Sequence, residues 1–222
     1  MASPFRFTRR ECPLREAETI VAIVDDDPSI REGVGSLLRS VGWMVETFSS
    51  AEEFVARPRL KTPSCVLLDL QLPALSGLDL QKLMKEIEWE IPVVFITGHG
   101  DIPASVQAMK AGAIEFLTKP FDEEQLLQAI TEAIDRDRDL RRQHREMREI
   151  RARYDSLSPR EQQVMQRVAS GLLNKQIAAE LEISEFTVKV HRGQVMRKMR
   201  AGSVADLVRM ADKLGVRSQQ SH

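Results

Sequence analysis

The chain has 222 residues, 42% of them hydrophobic and 29% charged, and a formal net charge of −1. At about 150 residues per domain this length suggests one or two domains, and the apolar share supports buried cores rather than disorder. Only Cys12 and Cys65 are present, so neither a disulfide framework nor a cysteine metal cage is supported, and a reducing cytoplasm fits.

The small net charge conceals a division: residues 1–135 carry about nine more acidic than basic side chains, residues 157–222 about five more basic. The C-terminal part is suited to polyanions. Arg6, Arg9 and Arg10 lie near the start, but Pro13, Arg15, Glu16 and Glu18 interrupt any apolar stretch of signal-peptide length, so residues 1–18 are expected to form a basic, flexible extension. No uncharged apolar run reaches the roughly 20 residues of a spanning helix, so no membrane association is expected.

In chain order, apolar or β-branched runs at about 20–24, 43–48, 64–69, 91–97 and 113–117 alternate with amphipathic segments. The first, Ile20 to Val24, closes on Asp25-Asp26-Asp27. Pro28 can open a helix that carries Ile30, Val34, Leu37, Leu38 and Val41 at helical spacing until Gly42. The third run ends in Asp69, and Leu78, Leu80, Leu83, Met84 and Ile87 repeat the helical pattern. The fourth run, Ile91 to Ile96, ends in Thr97. Nearby, His99 is expected to be a solvent-facing loop residue and Asp101 a helix cap. The fifth run, with Phe116-Leu117-Thr118, is followed by Lys119. Five βα units of this kind form a parallel sheet covered on both faces, with flavodoxin-like winding.

Ligands of such sheets collect beyond the carboxyl ends of the strands. Asp25, Asp26 and Asp69 would repel one another there without a cation between them, and hard oxygen ligands suit Mg²⁺. Thr97 and Lys119 would bring a hydroxyl and an ammonium to the same crevice. Together these groups describe phosphoryl transfer onto Asp69, with cationic groups offsetting charge on the phosphoryl oxygens. Taken singly, each residue has an ordinary alternative, a helix cap for the aspartates and solvent exposure for the lysine. A Mg²⁺-dependent phosphatase using Asp69 as nucleophile is the alternative that aspartyl-phosphate chemistry leaves open.

From Glu123 the helical pattern runs through Leu126, Leu127, Ile130, Ile134, Leu140, Met147, Ile150 and Tyr154 with no Gly or Pro before Pro159. One long helix is expected. Its charged middle, Arg136 to Arg153, reads as a solvated helix laced by ion pairs, or as a short dimerising coiled coil, since Leu140, Met147 and Tyr154 are seven apart. Four short helices follow at roughly 159–170, 174–181, 185–199 and 203–214. The second and third have helix-turn-helix proportions, with Ser184 as the N-cap of the third. Leu181 and Val188 are expected in the core, and Val190 either there or at the surface.

Residues 20–135 resemble a response-regulator receiver domain through Val24-Asp25-Asp26-Asp27, Asp69-Leu70-Gln71-Leu72-Pro73, Gly77, Thr97-Gly98 and Lys119-Pro120, with Leu72 where the family often has Met. The resemblance implies that Asp69 is the phosphoacceptor, that Asp26, Asp69 and the Gln71 carbonyl hold Mg²⁺ with Asp25 acting through water, and that Thr97 and Lys119 bind the phosphoryl group. It also implies that Thr97 and Phe116 form the switch and that the Lys119-Pro120 bond is cis. Residues 157–215 resemble a LuxR-type DNA-binding domain through Leu157-Ser158-Pro159-Arg160-Glu161, Gly171, Asn174-Lys175-Gln176-Ile177-Ala178, Leu181, Ser184 and Thr187-Val188-Lys189-Val190-His191. By that resemblance Lys189, Val190 and Arg192 face base edges, while Asn174, Lys175, Thr187, His191, Arg197 and Lys198 hold the DNA backbone. Gly193 stands where relatives often have a larger side chain.

The combination is similar to two-component response regulators of the FixJ/NarL type. That family implies an α/β receiver (19–135), a helical linker (136–156) and an all-α DNA-binding domain (157–222). It further implies a sensor histidine kinase as phosphoryl donor, double-stranded DNA and RNA polymerase as partners, a homodimer when phosphorylated, cytoplasmic localisation, transcription activation as the output, and no enzyme activity of its own.

Overall fold

The computed structural model describes residues 19–58, 62–98 and 102–216. The N-terminal extension, His99 and Asp101 therefore lie outside the described residues. The chain divides into two compact units, Met1–Asp139 and Leu140–His222.

The first unit holds five parallel strands, β1 (Ile20–Val24), β2 (Met44–Phe48), β3 (Cys65–Asp69), β4 (Val93–Thr97) and β5 (Glu115–Thr118), in the order β2-β1-β3-β4-β5. Its helices are α1 (Pro28–Ser40), α2 (Ala51–Ala56), α3 (Gly77–Glu86), α4 (Ile102–Lys110) and the start of α5 (Glu123–Asp155). Because side chains alternate along a strand, the central strands feed two cores. Ala22, Val24, Val66, Leu68, Val93 and Phe95 belong to one, and Val21, Ile23, Cys65, Leu67, Val94 and Ile96 to the other. That is why these strands read as continuous apolar runs rather than alternating ones.

The chain moves from β1 outward to β2 and then crosses to β3 on the other side, so the crevice of this fold opens between β1 and β3. Asp25 and Asp69 stand at that point. The acidic triplet is divided in its duties: Asp27 is the N-cap of α1, accepting from Ser29 N at 2.8 Å ahead of Pro28, which leaves Asp25 and Asp26 for the crevice.

Strand limits shift modestly from the pattern. β4 begins at Val93 rather than Ile91, since Pro92 has no N–H to give to the ladder, although its carbonyl still accepts from Val66 N at 2.9 Å. β5 runs Glu115–Thr118, beginning two residues and ending one residue later than its apolar run suggests.

The second unit contains α6 (Pro159–Ala169), α7 (Asn174–Leu181), α8 (Glu185–Met199) and α9 (Val204–Leu214), close to the expected spans. α5 is a single helix of 33 residues, and most of its charged middle is exposed. Ile150 and Tyr154 are buried in the second unit's core with Leu157, Val164, Met165, Val188 and Leu207. Tyr154 is thus committed to its own domain rather than to a heptad seam, and the packed unit reaches upstream of residue 157. Ser158 and Glu161 form a reciprocal capping box that starts α6, and Ser184 caps α8. Leu181 and Val188 are in this core, while Val190 is 46% exposed. Among the described residues, no helix is long and apolar enough to cross a membrane.

Candidate functional site

At the carboxyl edge of the sheet, Lys119 joins two strand ends. Its Nζ donates to Asp25 Oδ2 at 2.6 Å and to Asp69 Oδ2 at 2.7 Å. Both carboxylates are buried, and their second oxygens are occupied by backbone: Asp25 Oδ1 accepts from Asp27 N at 2.8 Å and Asp69 Oδ1 from Gln71 N at 2.9 Å. Arg31 Nη1 donates to the Asp25 carbonyl at 2.6 Å and holds the loop after β1 in place. Burial pushes the Asp25 carboxyl above its ordinary range, against the opposing pull of Lys119 and Asp27 N–H. Burial alone would lower the Lys119 pKa, but its bonds to Asp25 and Asp69 outweigh that and keep the ammonium charged.

Asp26 is exposed, yet one ligand oxygen from each of Asp25, Asp26 and Asp69 lies within 4.8 Å of the others. Three carboxylates facing one ammonium leave an excess of negative charge, and their hard oxygens match a small divalent cation that keeps several waters and accepts phosphate oxygens. The donor set therefore fits Mg²⁺. Gln71 sits beside this cluster through its N–H to Asp69.

Thr97 closes β4, fully buried, and its carbonyl accepts from Lys119 N at 2.7 Å, so backbone pairing fixes the spacing of two more predicted site residues. Phe116, half-buried on β5, packs against the core beneath. The Lys119-Pro120 peptide is cis. Gly77 is required by close approach: a Cβ there would stand 2.3 Å from the Asp69 carbonyl oxygen. The sequence motif contains this glycine, but only the packing of α3 onto the end of β3 shows what it is for.

In the second unit, α7 and α8 form the helix-turn-helix, with Glu182 in the left-handed region (φ 53) turning the chain between them. The exposed residues of α8 are Glu185 at its start and then Phe186, Lys189, Val190, Gly193 and Arg197. Thr187 turns its hydroxyl to the Ser184 cap at 2.8 Å, and His191 is half-buried. Arg192 Nη1 donates to Asn174 Oδ1 at 3.0 Å, joining two of the predicted DNA contacts across the motif. Lys175 is exposed, and Arg197 pairs with Gln194. Lys198 differs from the rest, because its Nζ donates to the buried Glu161 carboxylate at 2.6 Å. Sequence reasoning passed over Phe186, which is 76% exposed.

Residues 21–131 match the family described as the response regulator receiver domain, and residues 155–211 match bacterial regulatory proteins of the luxR family. Nodulation protein W of Bradyrhizobium diazoefficiens is 50% identical over 203 residues, 90% of this chain and 89% of that protein. Transcriptional regulatory protein FixJ of the same organism is 42% identical over 197 residues, 88% of this chain and 96% of its own length. Among solved structures, that of the response regulator StyR is similar with a TM-score of 0.78 and 47% identity, covering 89% of this chain and all of StyR.

Proposed function

The chain belongs to the response regulators that join a receiver domain to a LuxR-type DNA-binding domain, and from that premise we propose that Asp69 accepts a phosphoryl group from a sensor histidine kinase. The new charge then controls sequence-specific DNA binding through α7 and α8. The observation that carries this reading is Asp69 itself. It is a buried carboxylate at the end of β3, bonded to Lys119 Nζ at 2.7 Å and grouped with Asp25 and Asp26.

One Asp69 oxygen attacks phosphorus, the bond from phosphorus to the donor's leaving atom breaks, and an acyl phosphate forms. Lys119, already charged, is the group that offsets the incoming phosphoryl charge. Asp25, Asp26, Asp69 and the Gln71 carbonyl would hold Mg²⁺, which when bound supplies further charge neutralisation at the phosphoryl oxygens. Thr97, on the strand beside Asp69, and Phe116, half-buried on β5, form the switch that passes the change to the α4–β5–α5 face.

We assign residues 19–135 to the receiver and 157–222 to the DNA-binding domain. The segment 136–156 joins them, its last turns lending Ile150 and Tyr154 to the second core. On DNA, Lys189, Val190 and Arg192 face the bases, while Asn174, Lys175, Thr187, His191, Arg197 and Lys198 take the backbone. The chain works as a cytoplasmic transcription activator, as a homodimer when phosphorylated and in contact with RNA polymerase. Its aspartyl phosphate is a signal rather than an intermediate in turnover of a separate substrate.

Asp69→Asn tests the reading. The variant is expected to keep the wild-type circular dichroism spectrum and to lose all labelling by radioactive acetyl phosphate. Labelling that persists in the variant would place the phosphoacceptor elsewhere.

A further inference from the structure

Phe186 is the second residue of α8, just after the Ser184 cap, and 76% of it is exposed. Among the described residues it is the most exposed of the large apolar side chains. The buried face of α8 is carried by Val188, Val195 and Met199, so the ring takes no part in the domain's core. It heads the solvent stripe instead, one turn before Lys189 and Val190 and two before Gly193, where an added Cβ would meet nothing within 4 Å. An aromatic ring thus stands between Glu185 and the exposed Lys189, on the N-terminal turn that a helix-turn-helix brings to base edges. Lys189, one turn along the same stripe, and Arg197, three turns along, are exposed and carry charge suited to phosphates. The apolar feature that a major groove offers such a ring is the 5-methyl group of thymine.

We infer that Phe186 is a specificity-determining residue whose ring packs on a thymine 5-methyl group in the major groove, so that each half-site carries a thymine at that position. This rests on α8 being the reading helix, as proposed above. It adds to that assignment a base identity and a residue outside the set that the LuxR-type motif supplies. The contact is purely apolar, and methyl removal abolishes it while every hydrogen-bonding group of the base pair stays in place.

The test uses the full-length chain, treated with acetyl phosphate, to enrich duplexes from a randomised pool. Each thymine of the enriched half-site is then replaced in turn by deoxyuridine. One replacement is expected to weaken wild-type binding about fourfold, the fold-change that burial of one methyl-sized group carries. Phe186→Ala should bind the thymine and uracil duplexes equally at that position, and should melt at the wild-type temperature because the ring supports nothing within the domain.

Wild-type binding indifferent to every methyl would overturn the inference and leave the DNA-binding assignment standing. A Phe186→Ala variant that keeps the wild-type thymine preference would overturn it too, and would turn the exposed ring toward a protein partner. Failure to enrich any sequence would sink both this inference and the reading of α8 as a DNA-binding helix.

Discussion

Glu161 ties a helix start to a basic residue of the DNA-binding motif. Its carboxylate accepts from Ser158 N at 2.7 Å and from Lys198 Nζ at 2.6 Å. Burial works to raise its pKa, but these bonds prevail and hold it below the ordinary carboxylate range. A depressed folded pKa stabilises fully above the unfolded value of about 4.3 and loses that contribution as pH falls through the lower folded value. Thermal midpoints of the second unit should therefore fall on acidification below the unfolded value, and Glu161→Gln should flatten that part of the profile. At neutral pH the same variant should cost about 2 kcal/mol in denaturant melts, since charged hydrogen bonds are lost.

Two more residues carry sharp expectations. Gly77→Ala drives a methyl into the Asp69 carbonyl, so it should destabilise the receiver by about 2 kcal/mol and slow acetyl-phosphate labelling by displacing Asp69. Cys65 is fully buried in β3, and burial raises its thiol pKa far above the usual range. Alkylation followed by peptide mass spectrometry should modify Cys65 only when denaturant is present. At this scale the sequence revealed which residue types end which strands. It could not reveal that Lys119 reaches both Asp25 and Asp69, or that Lys198 is already bonded, because such contacts depend on side-chain reach across folded elements.

Among the elements, the helices were the most legible. Periodicity, the Ser158-Pro159-Arg160-Glu161 capping box and the Gly42 stop each act within a few residues, so α1 and α6–α9 fall close to their expected spans. Strand ends were less legible because ladder bonding decides them: Pro92 lacks the N–H that would extend β4 backward, and β5 takes its limits from β4. The long helix is the instructive case. Leu140, Met147 and Tyr154 share heptad spacing, yet Tyr154 is 8% exposed inside the second unit's core. Tyr154→Ala should accordingly cost about 3 kcal/mol of stability, whereas Met147→Ala, at a half-exposed position, should cost far less. Equal losses in paired melting experiments would restore Met147 and Tyr154 to a common structural seam.

For the molecule as a whole, the charge division of the sequence maps onto two units with separate cores: clusters on both faces of the sheet in one, a helical cluster in the other. Calorimetry should resolve two unfolding transitions, and Tyr154→Ala should lower only one of them. A single transition lowered as a whole would mean that the units unfold together. What composition could not supply was the point where one unit gives way to the next, since α5 runs through it without a Gly, a Pro or a change in periodicity.

Lys119 gives this receiver a mechanical property as well as an electrical one. A single ammonium is moored to Asp25 just after β1 and to Asp69 at the end of β3, 94 and 50 residues away in the chain, and its own stem is rooted just after β5, three positions beyond Phe116. A phosphoryl group on Asp69, as proposed above, would be felt first at that mooring, since Lys119 Nζ donates to the same carboxylate. The ammonium so ties β5, an edge strand paired with β4 alone, to the ends of two inner strands.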